Sequence, residues 1–350
     1  MNKNRIQYID IARGISMVCI VLGHLGEPQI NRIVFTFHLP IFFLISGYFL
    51  KEETDIKSLL KQRIRSLLVP YWLTCLAIIC LSMAFCEIFT PEISSKKTAM
   101  DWVFASLYGS GDTYKEPFYI KQIGALWFLL ATFWGTLFLR LILNLGKNGR
   151  ILAVLLLFCF GIFSPKWFWL PMSLQPGCCA VLFMYIGYLC KRIQASATFT
   201  PEVKTWGTVC AFIVWIFFIR DFKSFWLSRC NIGRGVVDIF GCLCACFCLL
   251  KISQFIEKHL HRLTHILAYL GKYSVFMLCA HIVELNLFPW WRLLNLLVSM
   301  GMPEYLTLYV KIACKFAWIL PVMLICSKWT FTRKLFGFDA PSPKQLPKPV

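Results

Sequence analysis

Apolar residues gather into ten runs separated by short polar segments, at about 9–27, 33–50, 67–89, 124–144, 150–164, 171–190, 206–222, 234–252, 264–285 and 305–327. A helix crossing hydrocarbon needs about 20 mostly apolar residues, and each run reaches or nearly reaches that length. The pattern predicts an all-α, polytopic bundle of about ten transmembrane helices, forming one domain over residues 1–338. The fifth run is short and Pro165 follows it, so its bounds are the least defined and a re-entrant segment fits there as well as a span. Residues 291–300 are too few to span and are expected at the interface. The tail 339–350, rich in proline and lysine, is expected to be disordered and cytoplasmic.

The first run departs from this apolar pattern. It reads D-I-A-R-G-I-S-M-V-C-I-V-L-G-H from Asp10, so Asp10, Arg13 and His24 lie inside it or at its edges. Ionisable groups in a membrane helix are costly and mark functional sites by default. Arg13 and His24 are eleven residues apart, which on an α-helix returns to within roughly 20° of the start and separates them by about 16 Å along the axis. Asp10 falls on the same face. A cation near one surface and an imidazole past the midplane, on one stripe, suit a long anionic substrate whose charged end stays at the surface.

Composition agrees with a membrane protein. Of 350 residues 58% are hydrophobic and 15% charged, and the mean hydropathy is +0.66; a soluble domain carries about 25% charged residues. The formal charge of +19 falls between apolar runs, with no nucleic-acid-binding motif, and membrane topology accounts for it. With the N-terminus inside, inner segments hold about 20 Lys and Arg against about 11 outside, which favours N-in/C-in. Lys3 and Arg5 before an apolar run resemble a signal peptide, but no small-x-small site follows, so the run reads as a retained span.

Seventeen cysteines lie mostly within apolar runs, where a thiol behaves as a small hydrophobe. Cys242, Cys244, Cys246 and Cys248 alternate. Alternate positions on a helix point to opposite sides, so the four form a wall rather than a metal site, and no metal is expected. The outer loop with Arg220, Lys223, Arg229 and Arg234 either pairs with Asp221 and solvent or attracts an acidic glycan. The longest connection, about 90–123, carries Trp102, Tyr108, Tyr114, Tyr119, Asp101, Asp112 and Glu116. It reads as a carbohydrate-binding loop or lid, or equally as an interfacial helix with an aromatic belt.

Several blocks resemble one family. Arg-x10-His in the first helix (Arg13, His24), F-H-L-P-I-F-F-L-I-S-G-Y-F (37–49), V-P-Y-W (69–72), A-L-W-F-L (125–129) and G-K-Y-S-V-F-M-L-C-A-H (271–281) are similar to the membrane acyltransferase-3 family, in the branch of fucose 4-O-acetylases. The resemblance implies an enzyme of the inner (plasma) membrane, an O-acyltransferase. Its members move an acyl group, here acetyl, from cytoplasmic acyl-coenzyme A (acetyl-CoA) to a hydroxyl of a cell-envelope polysaccharide or lipid-linked sugar. The co-substrate is transient, so no bound cofactor is implied. The expected partners are acyl-CoA, the glycan acceptor and membrane lipids.

On that reading His24 is the general base or transient acyl acceptor, since imidazole titrates near neutral pH. Arg13 holds donor phosphates, with Asp10 orienting it until donor binds. The family places Arg-x-x-Arg before its third span. Here Arg63 and Arg65 stand two apart and Ser66 takes the second position, so Arg63 carries over more directly than Arg65; the equal alternative is that the segment is only a positive-inside anchor. His38, before Pro40, either satisfies a freed carbonyl or assists His24. Gly47 gives a packing notch. Trp127 either anchors at the interface or stacks on a sugar. His281 and Glu284, one turn apart, with Ser274 two turns before His281, form a second polar constellation expected to face the same cavity. The alternative is a transporter or exporter of a modified glycan precursor, which discontinuous helices and paired half-repeats would favour.

Overall fold

A computed structural model describes residues 6–89, 94–115, 118–196, 200–223 and 225–339. Among them the chain is helical throughout, and strand pairing is limited to two isolated bridges, Tyr114 with Ile120 and Trp226 with Asn231. The first apolar run is α1 (Gln7–Gly23); the second divides into α2 (Pro28–Val34) and α3 (Pro40–Phe49), each with proline in its first turn. Then come α4 (Ile56–Arg63), a π-helical turn (Ile64–Leu68), α5 (Val69–Phe89) and α6 (Ser95–Tyr108). The middle holds α7 (Trp127–Ile142), α8 (Lys147–Phe163), α9 (Leu174–Ser196) and α10 (Pro201–Arg220). The last part is α11 (Val236–His259), α12 (His261–Lys272), α13 (Ser274–Leu287), α14 (Trp290–Ser299), α15 (Glu304–Lys328) and α16 (Thr330–Leu335).

Each of the ten apolar runs is thus a helix or a helix pair. Six helices of the described residues are long and apolar enough to cross a membrane, or seven if α12 and α13 count as one span; α1, α3 and α7 are apolar but shorter than 18 residues. The expected irregularity moves. The fifth run is a full helix, Lys147–Lys166, whereas the ninth is bent by 70° between α12 and α13. The short helix expected at 291–300 is α14. Much of the 90–123 connection is α6, capped by the Ser94 hydroxyl and closed by Gly109 in the left-handed region. Glu116 and residues 340–350 of the expected tail lie outside the described residues.

α1 packs against α2, α3, α11, α12 and α13. Its closest neighbour is α12, because glycines face each other: a side chain at Gly14 would meet the Leu267 carbonyl, and one at Gly271 the Asp10 carbonyl. Gly47 of α3 and Gly187 of α9 do the same with Met184 and Leu44, so the notch expected at Gly47 is a backbone contact. Helices without such contacts lie outside: 67% of the α9 window is buried in the protein but only 11% of α10. Cys242, Cys246 and Cys248 are buried in α11 and Cys244 half-buried.

Contacts between loops sort them into two ends. Glu52, Arg150 and Arg192, from three segments placed inside by charge counting, meet in ion pairs of 3.0 and 2.8 Å. Asp112 pairs with Arg229, and Arg32 donates to the Ile219 and Arg220 carbonyls, joining segments placed outside. The first and last described segments lie together, with Gln7, Asp10, Phe338 and Asp339 lining one pocket. Of the outer cations, Arg229 pairs with Asp112 and Arg234 with Asp238 at 2.7 Å, and Asp221 adds to the field at Arg234.

Candidate functional site

His24 is the C-cap of α1. Gly26 (φ +90°) turns the chain so that α2 starts at Pro28, which returns residues 31–38 alongside the histidine. Lys311 of α15 donates to the Leu25 carbonyl at 3.1 Å, a cation on carbonyls just past the end of α1. His38 sits in the turn before Pro40, its Nδ1 donating to the Val34 carbonyl at 2.8 Å while Phe35 stacks on the ring at 4.8 Å. A carbonyl only accepts, so Nδ1 carries the proton and Nε2 keeps its lone pair. The Val34 carbonyl also accepts the His38 backbone N–H at 3.1 Å, so it is not one freed by Pro40, and His38 lines the cavity that contains His24.

That cavity has a volume of about 490 Å³. Beside His24 and His38 it is lined by Trp127, Phe35 and Trp226, by the amides Asn31, Gln122 and Asn286, and by Asp112, Ser228 and Arg229. Trp127 is buried at the first turn of α7, facing the cavity rather than standing as an exposed anchor. The Asn31 side-chain oxygen Oδ1 is buried without a hydrogen-bond partner among the described residues, and such a group favours a ligand donor. The Asp112–Arg229 pair, with Arg229 also 4.4 Å from the Trp226 ring centre, neutralises charge at the rim. Rings, amides and self-paired charges suit a neutral polyhydroxylated ligand.

Behind His24 lies a buried ionic cluster. The rings of His24 and His281 are 5.2 Å apart between centres. His281 Nδ1 donates to Glu284 Oε2 at 3.2 Å, and Lys315 Nζ donates to Glu284 Oε1 at 2.6 Å. Trp290 Nε1 donates to the same oxygen, and Lys315 lies 5.0 Å from the Trp290 ring centre. His281, Glu284 and Lys315 are fully buried. With Nδ1–H spent on the carboxylate, His281 Nε2 holds a lone pair, and it has no hydrogen-bond partner among the described residues. The structure puts His281 next to His24, with Glu284 bonded to His281, both behind the cavity lining rather than in it. Ser274 does not join them: it begins α13 at the bend and lines no part of this cavity.

Sequence reading missed Lys315 and Trp290. Lys315 stands in the apolar run 305–327 one turn after Lys311, so the rule that flagged Arg13 applies to it equally. Trp290 falls just before the segment 291–300 expected at the interface, and its partner Glu284 lies across a helix break.

The inner end of α1 is built differently. Arg13 Nη1 lies 3.7 Å from Asp10 Oδ1, the i,i+3 pair expected, and Asp10 is buried. Arg63 lies close enough to Arg13 for the two cations to repel, and Arg63 Nε is buried without a hydrogen-bond partner among the described residues. The π-turn after Arg63 shifts the helical register, leaving Arg65 exposed against Gly337 and the Ser66 hydroxyl buried and unpartnered. A second pocket of about 470 Å³ nearby is lined by Asp10, His265, Tyr269, Lys272 and Arg333. Arg13 lines neither it nor the cavity at His24. Two guanidiniums drawn together favour an anion between them.

Among known proteins, residues 6–328 match the family described as an acyltransferase domain. Searches of curated proteins and of solved structures return no match. The matched segment includes α1 with Arg13 and His24, the bent α12–α13 pair and Lys315 on α15, so the constellation just described lies within the family domain: the chain belongs to the membrane acyltransferase-3 family.

Proposed function

We propose that this membrane acyltransferase moves an acetyl group from cytoplasmic acetyl-CoA to a hydroxyl of a cell-envelope polysaccharide or lipid-linked sugar, in the manner of the fucose 4-O-acetylase branch. The observation that carries the reading is the position of His24, at the outer end of a helix whose inner end holds paired arginines and in a cavity of rings and amides.

The acceptor enters from the outer loops, stacks on Trp127 or Trp226 and donates to Asn31. His24 takes the hydroxyl proton as the oxygen attacks the thioester carbon. Arg13 and Arg63 hold the donor phosphates, Asp10 steadying Arg13, and Arg65 adds surface charge. Ser274 has no role in this scheme. Export of a glycan precursor would draw on the break between α12 and α13. Alternating access, however, uses such breaks in matched pairs, and the described residues hold one.

The test is transfer of label from acetyl-CoA in inverted membrane vesicles. Label should enter envelope glycan with wild-type protein and be lost with His24→Ala at equal protein level. Equal labelling by His24→Ala removes histidine catalysis at this position, and substrate flux without acyl turnover would establish the exporter.

A further inference from the structure

His281, Glu284 and Lys315 are ionisable groups without exposed surface in the bundle. A buried ion pair contributes little stability over apolar packing of the same volume, and in a membrane protein such groups are kept for what they do. The arrangement has a direction. Lys315 and Trp290 both bond Oε1 of Glu284, leaving Oε2 for the Nδ1–H of His281. That bond fixes the tautomer and turns the lone pair to Nε2, which is buried and has no hydrogen-bond partner among the described residues. The adjoining ring is that of His24.

We infer that Lys315, Glu284 and His281 form a relay that holds a second imidazole lone pair beside His24, so that the proton removed at His24 is shared by two rings. The inference rests on the proposed acyl transfer. As the acceptor oxygen bonds to the acyl carbon, its O–H bond breaks and the proton passes to His24, then to His281 Nε2. When the C–S bond breaks, the proton returns through His24 to the departing thiolate, which leaves as thiol. Nothing is oxidised, and Glu284 and Lys315 keep their protonation throughout. They are positioning residues. Glu284 balances the imidazolium, and Lys315 keeps Glu284 from holding the proton for good.

Other ionisable groups in reach are few. His38 from the turn before α3 and Lys315 from α15 act on His24, Lys315 and Glu284 act on His281, and Lys311 acts on Lys315. From α5, Cys75 faces Cys279 rather than His281.

The relay predicts opposite responses to two single substitutions. Glu284→Gln leaves the Lys315 charge uncompensated beside the rings, disfavours imidazolium, and moves the acid limb of the pH–rate profile down by about one pH unit. Lys315→Met leaves the carboxylate uncompensated and moves the limb up by a similar amount. The double variant returns toward wild type, and Lys315→Arg keeps the wild-type limb. His281→Asn, which retains a donor toward Glu284 but no second base, lowers the rate at least about tenfold. A limb that stays put, or moves the same way in both single variants, overturns the relay and leaves a structural pin. If Lys315→Met does not fold, Glu284→Gln decides alone: a downward shift supports the relay, while no shift or an upward one ends it. If wild-type protein transfers no acyl group from any acyl-CoA, the proposed reaction fails separately. The relay is then read from NMR titration of the His24 and His281 imidazoles in labelled protein, where the two substitutions must still move the midpoints in opposite directions.

Discussion

The two ends of α1 treat charge in opposite ways. At the outer end charges are paired within the protein: Lys315 with Glu284, Arg229 with Asp112, and what is left over is an imidazole lone pair next to His24. At the inner end Arg13 pairs with Asp10 at 3.7 Å and lies within electrostatic reach of a second cation, Arg63. A self-neutralised site is made for proton positions and neutral ligands. A site where a second cation adjoins an ion pair carries an excess of positive charge that favours a further anion. On the proposed function, one helix separates the chemistry from the anchoring by its own length, about 25 Å for 17 residues.

Breaking the outer end should have the largest effect. His24→Ala is expected to lower acyl transfer by about 10² to 10⁴-fold, the usual contribution of a general base, while acetyl-CoA binding to purified protein stays within twofold. A loss of binding as large as the loss of rate would show that the two ends are one site. Arg13→Ala should do the reverse, raising KM for acetyl-CoA by about 10 to 100-fold, as a lost charge-assisted hydrogen bond does, with kcat much less affected. Arg13→Lys should recover part of the loss, because a lysine keeps the charge but not the planar fork. Steady-state kinetics over donor concentration separates the two patterns.

The inner end was more legible in the sequence than the outer. Arg13, Asp10 and their pairing follow from helical spacing within one run, and so do the ten helical segments, since apolar runs are local signals. His24 was legible for the same reason. The outer site is assembled from α1, the α2–α3 turn, α7, α13, α14 and α15, and its key contacts span large sequence distances: Lys315 to Glu284, Asp112 to Arg229, Trp290 across a break. Spacing suggested that His281 and Glu284 belong together but also drew in Ser274, because a 14-residue helix looks continuous with what precedes it until the 70° bend is seen. The bend itself follows no proline. Proline marked the fifth run instead, where Pro165 only closes an intact helix with a 3₁₀ turn.

Between the ends, α1 is held by glycine contacts, and disturbing them should blur the comparison rather than weaken one side. Gly271→Val would push α12 off the Asp10 carbonyl and shift both Asp10 and the adjoining turn of α1. Overpacking of this kind costs about 1–3 kcal/mol. The melting temperature in detergent should fall, and transfer and donor binding should decline together. Gly207→Ala, where an added methyl meets nothing within 4 Å, should leave all three unchanged. If Gly271→Val lowers only one activity, the ends are coupled through something other than the position of α1.

The smallest effect sharpens what belongs to the inner site. Glu52 joins Arg150, Arg192 and Tyr188 at the same end of the bundle, yet it serves the loops rather than Arg13. The hydrogen bond from Arg150, helped by Tyr188 and the two arginine charges, holds its carboxyl below the ordinary glutamate range, against the opposing effect of burial. A carboxyl lowered in the folded state contributes stability that is fully present above its unfolded value of about 4.3 and is lost as pH falls through the lower folded value. The side chain is 36% exposed, so solvent screens most of the gain and Glu52→Gln should cost less than about 1 kcal/mol. Melting curves should show wild type and variant differing at pH 7 and converging below pH 4, with KM for acetyl-CoA the same in both. A KM that rises with Glu52→Gln would extend the donor site to Arg150 and Arg192, and the inner end would then be a basic face rather than a pair of arginines on one helix and its neighbour.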